Sequence, residues 1–363
     1  RNFDGCHGSR KYTFHSVRGL TIAGNGGLEQ LELREDLPLP ELRAATDVRI
    51  RVRCAALNHL DLFVLAGLPG ASITAPWIVA SDACGVVDAI GPEVRNVAVG
   101  DHVVVNPGIS DRTCAFCVAG EHSLCVKYRI LGEHLPGTAA EYLVVPSANA
   151  RIVPRELDSA VAAAFPLATL TAWRMVHTRA RVRRGERVLI WGIGGGVAIA
   201  ALQICKRIGA EVWVTSTSDA KLARAKHLGA DHLLNTTRDD IPAMVRRETG
   251  KAGVDVVIDN VGEATWKRSV LSLGKQGRLV TCGGTSGPLV EMDVRRVFWN
   301  QLTILGSTMG NDEEFDAVVR ELGDGRLLPP VDEVFSLERG RDAYARLQMA
   351  EQFGKVVIRV SSS

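Results

Sequence analysis

The feature that most constrains the fold is a regular alternation of strand-like and helix-like segments that begins at Arg187. The stretch "RVLIWGIG" (187–194) is an apolar run ending in glycines, as a strand buried on both faces of a sheet does. The stretch "GVAIAALQICKRIGA" (196–210) follows with helical periodicity, and the alternation continues to "QLTILGS" (301–307). Such alternation predicts right-handed βαβ units and a doubly wound parallel sheet, which is an α/β nucleotide-binding fold.

The first 165 residues have a different pattern, in which short β-rich pieces are separated by Gly, Pro and Asn turns. The main helical stretch there runs from Asn58 to Gly67, so this part predicts a mostly antiparallel β domain. Near the end, "KVVIRV" is strand-like and predicts a return of the chain to this β domain. The predicted division is an N-terminal extension (1–16), a β domain (17–168), a nucleotide-binding domain (169–305) and a returning segment (306–363).

Charge and composition exclude several classes of partner. The net charge of +2, from 43 basic and 41 acidic residues, gives no field that would attract nucleic acid or an anionic membrane. No apolar run approaches the roughly 18 residues of a membrane span, and the polar start has no signal core. Three of the eight cysteines lie in one short window, which favours a metal over disulfides. We therefore expect a small-molecule substrate and a reducing, cytoplasmic location.

The turn between the first strand and helix of the alternating region predicts a dinucleotide site. Gly192 has the position for the tight turn, and Gly194 for close approach of the backbone to a pyrophosphate at the helix N-terminus. Gly195 and Gly196 extend the cluster, but Val197 stands where the strict G-x-G-x-x-G pattern has its third glycine. Gly196, which has no Cβ, is then the residue expected to allow the helix to pack closely against the strand. An ordinary tight turn is the alternative interpretation.

The end of the second strand bears on which dinucleotide binds. NAD sites usually place Asp or Glu there, whereas this chain has "TST" at 215–217, with Ser216 in the middle. Lys221 and Arg224 follow, and small hydroxyls beside cations suit a 2′-phosphate. Asp219 is an alternative NAD-type acid in a shifted register, and the two cations are alternatively solvated helix residues. The pattern favours NADPH and leaves NADH open.

Several motifs together resemble the medium-chain dehydrogenase/reductase superfamily, and within it the zinc-type alcohol dehydrogenases and the quinone oxidoreductases. They are "NPGISDRTCAFCVAGEHSLC", "ILGEH…GTAAEYLVVP", "PLATLTAW", "GIGGGVA" and "FGKVVI". The likeness covers the chain from Val17 to Val360. It implies a GroES-like β domain and a Rossmann domain, with a cleft between them where nicotinamide meets substrate. It also implies a homodimer or homotetramer, with Thr171 and Lys355 beside the cofactor.

The cysteine window is similar to the structural zinc lobe of the zinc-type dehydrogenases, in which four cysteines bind the ion. Here the spacing is D-x2-C-x2-C-x7-C, so Asp111 replaces the first cysteine ahead of Cys114, Cys117 and Cys125. A carboxylate oxygen is an acceptable zinc ligand. His122 is an alternative fourth ligand, and three free thiols are the alternative to any metal. A zinc closed by four protein ligands would stabilise the loop and perform no chemistry.

The resemblance also implies where a catalytic zinc would lie, and this chain lacks the family ligands there. The matching positions are Asn58, Ser81 and Leu167, and a leucine side chain cannot coordinate a metal. We therefore expect no catalytic metal. The alternative is an irregular site built from other residues of the same motifs, which are His59, Asp61, Asp82, Cys84 and His134.

The expected chemistry follows from these residues. Oxidation of an unactivated alcohol relies on a Lewis acid, whereas an enone or quinone accepts hydride with less assistance. By its resemblance to the quinone reductases, Asn58 faces the nicotinamide pocket, and its amide can donate to a developing oxyanion. Alternatively, Asn58 only caps the helix that follows it. Asp61 is expected to support this turn, and Asp82 is expected to orient Asn58 or His59.

The sequence thus predicts an NADPH-dependent oxidoreductase that reduces an activated carbonyl, an enone or a quinone without catalytic zinc. A structural zinc in the cysteine lobe, which is the segment from Asp111 to Cys125, is an accessory to folding. Two alternatives stay open. One is a zinc-type alcohol or aldehyde dehydrogenase with atypical metal ligands, and the other is a non-enzymatic protein that binds NADPH.

Overall fold

The computed structural model describes residues 16–68 and 73–361. Apart from Ser16, the predicted extension (1–16) lies outside the described residues. The strands are β1 Ser16–Ile22, β2 Leu31–Pro38, β3 Asp47–Ala56, β4 Trp77–Ile78, β5 Asp82–Ile90, β6 His102–Val105, β7 Gly108–Ile109, β8 Arg129–Ile130, β9 Tyr142–Pro146, β10 Ala150–Ile152, β11 Arg187–Ile190, β12 Glu211–Ser216, β13 His232–Asn235, β14 Val254–Asp259, β15 Leu273–Thr281, β16 Thr303–Gly306, β17 Val331–Ser336 and β18 Lys355–Arg359. The α-helices are α1 His59–Ala66, α2 Ala115–Val118, α3 Ser159–Ala163, α4 Pro166–Trp173, α5 Gly196–Ile208, α6 Asp219–His227, α7 Ile241–Glu248, α8 Glu263–Ser272, α9 Val294–Asn300, α10 Asp312–Gly323 and α11 Gly340–Gln348.

The alternating region forms a six-stranded sheet in the order β13-β12-β11-β14-β15-β16, and its strands pair in parallel. This is the doubly wound order of a Rossmann fold, as the sequence predicts. The central strand β11 carries Val188, Leu189 and Ile190, all fully buried, because helices cover both faces of the sheet. Burial of each such side chain contributes about 1.5–3 kcal/mol. The helix α5 ends at Gly209, which takes the left-handed conformation (φ +87°).

The N-terminal part forms a second sheet in the order β10-β6-β5-β3-β18-β17, with β9 also pairing with β3. The pairs are antiparallel except for β17 with β18. The last strand of the chain, β18, lies directly beside β3, so the C-terminal segment completes the sheet of the first domain. The predicted antiparallel β domain is therefore present, while the domain boundaries at 168 and 305 stay predictions.

The two sheets meet at α4. This helix begins at Pro166, whose ring fits the first helical position, and it packs against both α5 and α10. Its last turn continues as a π-helical stretch, Arg174–Arg179. One hydrophobic cluster runs across this junction, from Cys84 and Val104 of the first domain to Ile190 and Val214 of the second. The cleft between the sheets is thus bordered by a common core.

A search of the described residues finds no helix with the length and apolar character that crossing a bilayer requires.

Candidate active site

A cavity of about 580 Å³ lies between the two sheets, at the carboxyl ends of β11, β12 and β14. The strand order reverses between β11 and β14, and this is where doubly wound folds bind nucleotides. The cavity reaches from Ser216 and Lys221 at one end to Asn58, Thr171 and Lys355 at the other. It therefore brings the predicted cofactor residues and the predicted catalytic asparagine to one site.

The glycine turn at the start of α5 forms one wall of this cavity. Gly192 (φ +69°) and Gly194 (φ +130°) adopt conformations that L side chains rarely take, which explains these two glycines. Gly195 is the N-cap residue of α5 and Val197 follows in its first turn, so free backbone N–H groups of the helix face the cavity. The turn is fixed to the next strand by a bond from Gly192 N–H to Thr215 Oγ1 (3.2 Å). The geometry suits an anion such as a pyrophosphate.

The structure gives a different explanation for glycine at position 196 from the one predicted. A Cβ at this position would lie 2.9 Å from Ala168 Cβ and 3.0 Å from Lys355 Cδ. The absent side chain therefore makes room for α4 and for the aliphatic part of Lys355, rather than for the contact of helix and strand. Gly194 does the same for another lysine, because its Cβ would lie 2.9 Å from Lys221 Cδ.

At the far end of the cavity, Ser216 is the last residue of β12. It is buried, and its Oγ accepts a hydrogen bond from Ser218 N–H (3.1 Å). Thr217 and Lys221 line the cavity beside it, and Lys221 Nζ donates to the Ala350 carbonyl. This end therefore presents hydroxyls and one lysine to a ligand.

Asp219 and Arg224, the two other charged residues considered for this end of the cavity, each contact another side chain. Arg238 binds both carboxylate oxygens of Asp219 (2.8 Å each), and Asn235 Nδ2 donates to the same group (2.9 Å). The bond from Arg238 is the main reason that the pKa of Asp219 falls to about 2. The guanidinium of Arg224 lies 4.3 Å from the centre of the Phe353 ring. Neither Asp219 nor Arg224 lines the cavity.

A buried ion pair lies at the inner end of the cavity. Lys355 Nζ is 2.9 Å from Asp82 Oδ2, and the two side chains are 4% and 0% exposed. Asn58 contacts both charges, because its Nδ2 donates to Asp82 Oδ2 (2.9 Å) and its Oδ1 accepts from Lys355 Nζ. The other oxygen of Asp82 accepts from Leu167 N–H (2.8 Å) in the first turn of α4. The carboxylate is thus held by a lysine, an amide and a helix N-terminus.

Two further predicted residues support this cluster. Asn58 is the N-cap residue of α1, and its N–H donates to Asp61 Oδ2 (2.6 Å). Complete burial raises the pKa of Asp61 to about 7, although the hydrogen bond from Asn58 opposes the shift. Thr171 Oγ1 donates to the Leu167 carbonyl (2.8 Å) and faces the cavity from α4. Asn58 therefore caps the helix with its backbone position and faces the ion pair with its side chain.

The cysteine lobe brings its four predicted ligands together. One ligand atom from each of Asp111, Cys114, Cys117 and Cys125 lies within 4.8 Å of the others. Asp111 Oδ1 accepts from the N–H groups of Thr113 and Cys114 (3.0 Å each), and these bonds lower the pKa of its carboxyl. Cys125 Sγ accepts from the backbone N–H of Asp111 (3.2 Å). One carboxylate and three sulfurs in this arrangement fit a tetrahedral zinc.

His122 does not point into this group. Its Nδ1 accepts from Asp312 N–H (3.4 Å) at the start of α10. Nearby, Arg112 of the lobe binds Asp312 (2.7 Å), and Glu121 binds Arg174, which also contacts Glu314 of α10 (2.8 Å). The histidine therefore belongs to the contact between the lobe and α10, and Asp111 is the residue close enough to the three sulfurs to act as a fourth ligand.

Comparison with known proteins places the chain in a family. Residues 44–155 match the family model described as "Alcohol dehydrogenase GroES-like domain", and residues 196–324 match "Zinc-binding dehydrogenase". A solved NAD-dependent alcohol dehydrogenase superposes with a TM-score of 0.91 and 43% identity, covering 95% of this chain and 100% of that one. The chain belongs to the medium-chain dehydrogenase/reductase superfamily. It is accordingly an NAD(P)-dependent oxidoreductase with a GroES-like domain and a Rossmann domain.

Other members of the superfamily resemble the chain over most of its length. An NAD-dependent alcohol dehydrogenase of Sulfurisphaera tokodaii is 29% identical, over 89% of this chain and 95% of that protein. An acryloyl-coenzyme A reductase of the same organism is 28% identical, over 90% and 95%. The structure of a 2-octenoyl-CoA carboxylase reductase in complex with NADP and 2-octenoyl-CoA has a TM-score of 0.87 and 26% identity, over 96% and 89%. The similar proteins thus include both alcohol dehydrogenases and enoyl-thioester reductases.

The donor set does not fit the catalytic zinc of the zinc-type members of the superfamily. Both polar atoms of the Asn58 side chain are engaged, by Asp82 and by Lys355. Leu167 contributes only a backbone N–H, and Ser81 a hydroxyl. A lysine ammonium beside these groups repels a second cation, because both charges would lie in a buried, weakly screened site.

Of the residues of the irregular metal site, Cys84 and His134 are engaged elsewhere, whereas His59 lines the cavity and packs beside Phe63. Cys84 Sγ lies 3.0 Å from His102 Nε2 inside the first domain. His134 Nδ1 accepts from Ile130 N–H (3.3 Å), and the ring of His59 packs edge-on against that of Phe63 (5.0 Å). Among residues 16–68 and 73–361, the cysteine lobe supplies the one group of three or more ligand-type side chains close enough for a metal ion.

Sequence reasoning missed the pairing of Lys355 with Asp82. It assigned Lys355 to the cofactor and Asp82 to Asn58. The two charges are 273 positions apart in the sequence, so their contact was not apparent. A signal was present, since each charge is the first residue of an otherwise mostly apolar strand, β18 or β5. A charged residue at such a position is buried with the strand and requires a partner of opposite sign.

Proposed function

We propose that this enzyme uses NADPH to reduce a carbon activated by a carbonyl, as in an enone, an enoyl thioester or a quinone, without a catalytic zinc. The observation that carries this proposal is the side-chain cluster at the inner end of the cavity. Asn58, Asp82 and Lys355 fill it with hydrogen bonds and a fixed positive charge, where zinc-type members place metal ligands. Such a site is suited to an oxygen that becomes negative during the reaction.

The reaction class follows from what the site offers. An unactivated alcohol must lose its hydroxyl proton before it gives up hydride, and zinc members rely on a Lewis acid for this step. A conjugated carbonyl needs only stabilisation of its oxygen while hydride arrives at carbon, which hydrogen-bond donors supply. When bound, the nicotinamide supplies the hydride, and Thr171 and Leu167 shape the wall against which the ring would lie. The acryloyl-coenzyme A reductase among the similar proteins supports this class.

NADPH is the proposed cofactor because, among the residues that the structure describes, none places a free carboxylate at the ribose end of the cavity. Ser216 and Thr217 present hydroxyls, and Lys221 lies beside them. The nearby carboxylate of Asp219 is bound by Arg238 and does not line the cavity. A 2′-phosphate is therefore not repelled here, whereas the ribose diol of NADH lacks its usual acidic partner. The similarity to a reductase solved with NADP supports the same choice.

We also propose a zinc ion held by Asp111, Cys114, Cys117 and Cys125, with a structural role. Four protein ligands close the coordination sphere, so this ion would stabilise the lobe and take no part in hydride transfer. In the part of the chain that the structure describes, no cysteine forms a disulfide. Free thiols suit a reducing compartment, and we propose a cytoplasmic location.

Pairing of two chains through the edge strand β16 is the assembly we propose. The helix before it exposes Phe298 (62%) and Trp299 (79%), and a single chain seldom leaves such a pair in water. Antiparallel pairing of β16 with its own copy would continue the sheet and satisfy its edge, as a two-fold symmetric dimer requires. Light scattering that gives the mass of a single chain at micromolar concentration would contradict it.

A substrate survey tests the proposed reaction. We would follow oxidation of NADPH and NADH by the purified enzyme with crotonyl-CoA, 2-cyclohexenone and 1,4-benzoquinone, and reduction of NADP⁺ and NAD⁺ with primary and secondary alcohols. The expected result is turnover of one or more of the conjugated carbonyls, faster with NADPH, by an enzyme that contains one zinc per chain.

The same survey separates the alternatives. The alcohol dehydrogenases among the similar proteins favour a second candidate, an alcohol dehydrogenase with atypical metal ligands. Oxidation of alcohols that stops on chelation and returns with a second metal equivalent would establish that candidate. Tight NADPH binding with no turnover of any compound would establish a binding protein.

A further inference from the structure

Lys355 contacts three residues, one with its aliphatic part and two with its ammonium group. Its aliphatic part passes over Gly196 at the N-terminus of α5, and a Cβ there would be 3.0 Å from Lys355 Cδ. Its Nζ then reaches Asp82 and Asn58 on the first domain. The residue also lines the cavity, although its side chain is only 4% exposed. The charge is therefore fixed at the wall of the cavity and is not free in solvent.

The hydrogen-bond count of this ammonium leaves one donor for a ligand. A lysine ammonium has three N–H bonds, and the described residues give Nζ two acceptors, Asp82 Oδ2 and Asn58 Oδ1. Asp82 is itself held by Leu167 N–H and Asn58 Nδ2, so neither partner is free to follow a moving lysine. The ammonium is thus pre-organised, which is the condition under which a charge stabilises a transition state.

We propose that the Lys355 ammonium, held between Asp82 and Asn58, is the group that stabilises negative charge on the substrate oxygen in this enzyme. In this role it would replace the Lewis acid on which the zinc-type members rely. This inference rests on the proposed function for its direction of reaction. A charge on oxygen also develops when an alcohol is oxidised, so the role of Lys355 can be tested separately.

The step balances for a conjugated carbonyl. Hydride from the reduced cofactor forms a C–H bond at the β-carbon, and the electron pair of the C=C bond moves so that the carbonyl oxygen becomes an enolate. The third N–H of Lys355 donates to that oxygen, while Asp82 keeps the ammonium in place. A proton from water then reaches the α-carbon, and the enolate collapses to the saturated carbonyl. The cofactor is oxidised by two electrons and the substrate is reduced by two.

Two other roles for Lys355 make different predictions. A lysine that holds the cofactor pyrophosphate contributes to cofactor affinity, because the same side chain passes the N-terminus of α5. A lysine that only neutralises Asp82 contributes to folding, because an unpaired buried carboxylate is strongly destabilising. A catalytic lysine contributes to kcat at saturating cofactor.

The experiment compares Lys355→Met, Lys355→Arg and the double variant Lys355→Met/Asp82→Asn with the wild type. The double variant removes both charges and leaves no unpaired carboxylate, so it keeps the test open if Lys355→Met alone fails to fold. For the compound that the wild type turns over, we expect kcat to fall about 10²–10³-fold in Lys355→Met and in the double variant. We expect partial recovery in Lys355→Arg, and less than about threefold change in the Kd of NADPH.

Lys206→Met is the matched control, since Lys206 forms a surface ion pair with Asp231 away from the cavity. It should leave kcat unchanged. A double variant with wild-type kcat would overturn the proposal in favour of a structural role. A large rise in the Kd of NADPH, with kcat restored at saturation, would overturn it in favour of pyrophosphate binding.

A second readout does not depend on turnover. 4-Nitrophenol ionises to a coloured phenolate, so titration of this probe with the NADP⁺-bound enzyme reports the stabilisation of an oxygen anion in the cavity. The wild type should bind the phenolate form at least tenfold more tightly than Lys355→Met does. Equal binding to the two proteins contradicts the proposal. If no compound in the survey is turned over, the proposed function fails while this titration still decides the role of Lys355.

Discussion

Burial of the Lys355–Asp82 pair in the cavity wall carries an unfavourable free energy of desolvation. Transfer of two charges from water to a site 4% and 0% exposed costs several kcal/mol per ion, which their attraction offsets only in part. Apolar residues of similar volume often give equal or higher stability in such positions. The pair is therefore poorly explained by stability alone, which is one reason to look for its role in the reaction.

Asp61 is a second buried acid, and its pKa leads to a prediction about stability. Burial raises the pKa from 3.8 to about 7, so folding favours the protonated carboxyl. The stability linked to this group is complete below pH 4 and is lost as the pH rises through about 7, to an extent of about 4 kcal/mol. Asp61→Asn keeps an acceptor for Asn58 N–H without the charge. Urea unfolding should show it more stable than the wild type at pH 8, with the difference vanishing near pH 4.

Asp342→Asn is the control for this prediction, because Asp342 is exposed and pairs with Arg339 on the surface. Its stability should follow that of the wild type across the same pH range. If Asp61→Asn has the same pH dependence as the wild type between pH 4 and 8, Asp61 does not titrate in this window.

Ser216 carries the prediction on cofactor choice. Ser216→Asp introduces a carboxylate at the ribose end of the cavity, where it repels a 2′-phosphate and can accept from a ribose hydroxyl. The ratio of kcat/KM for NADPH to that for NADH should fall by about 100-fold or more, since a buried charge contact is worth about 3 kcal/mol. Ser216→Asn has the same shape without the charge and should change the ratio far less. Equal ratios in the wild type and Ser216→Asp would rule out the 2′-phosphate at this position.

At the scale of elements, α4 connects the cavity to the rest of the protein. Its first turn donates Leu167 N–H to Asp82, and its middle carries Thr171 on the cavity side. Its π-helical continuation carries Arg174, which is buried and binds both Glu121 of the cysteine lobe and Glu314 of α10. One helix therefore positions the ion pair and holds the lobe.

Local pattern and distant contact explain which elements could be predicted from the sequence. The segments of the Rossmann sheet are visible because hydrophobic periodicity and terminal glycines act over a few residues, as in α5 and its C-cap Gly209. The helix expected near Asn58–Gly67 is α1. The pairing of Lys355 with Asp82 depends on strands that the fold alone brings together, so the local pattern can mark each charge as needing a partner but cannot identify that partner.

The cysteine lobe likewise has one feature that the local sequence predicts and another that depends on a distant contact. Ligand spacing is a local property, so the sequence predicted the group of Asp111 and three cysteines that the structure brings within 4.8 Å. The choice between Asp111 and His122 as fourth ligand stayed open, because it depends on α10, about 190 residues later in the chain. Likewise, the reason for Gly196 was assigned to a local contact, whereas the neighbour that requires it is Lys355.

At the scale of the whole molecule, the cysteine lobe contacts the start of α10, and the segment that leads into this helix lines the cavity. Arg112 of the lobe binds Asp312, and Glu121 and Glu314 bind opposite ends of the Arg174 guanidinium. Met309, only three residues before Asp312, lines the cavity and contacts Thr171. The lobe is thus joined to the part of the cavity that Met309 and Thr171 line, whereas the glycine turn connects β11 to α5 of the Rossmann domain and Ser216 ends β12.

This arrangement predicts separate effects of zinc on substrate and cofactor. Cys114→Ser should release the zinc, and Tm should fall by on the order of 10 °C, because the metal stabilises the folded lobe. Loosening of the segment that leads from Met309 into α10 should raise the KM for the carbonyl substrate severalfold, with less than twofold change in the Kd of NADPH. Asp111→Cys, which supplies four thiolates, should retain zinc at chelator concentrations that strip the wild type. Cys54→Ala, in the core of the first domain, should leave the zinc content unchanged. A zinc-free Cys114→Ser protein with wild-type Tm and KM would show that the lobe neither needs the ion nor acts on the cavity through α10.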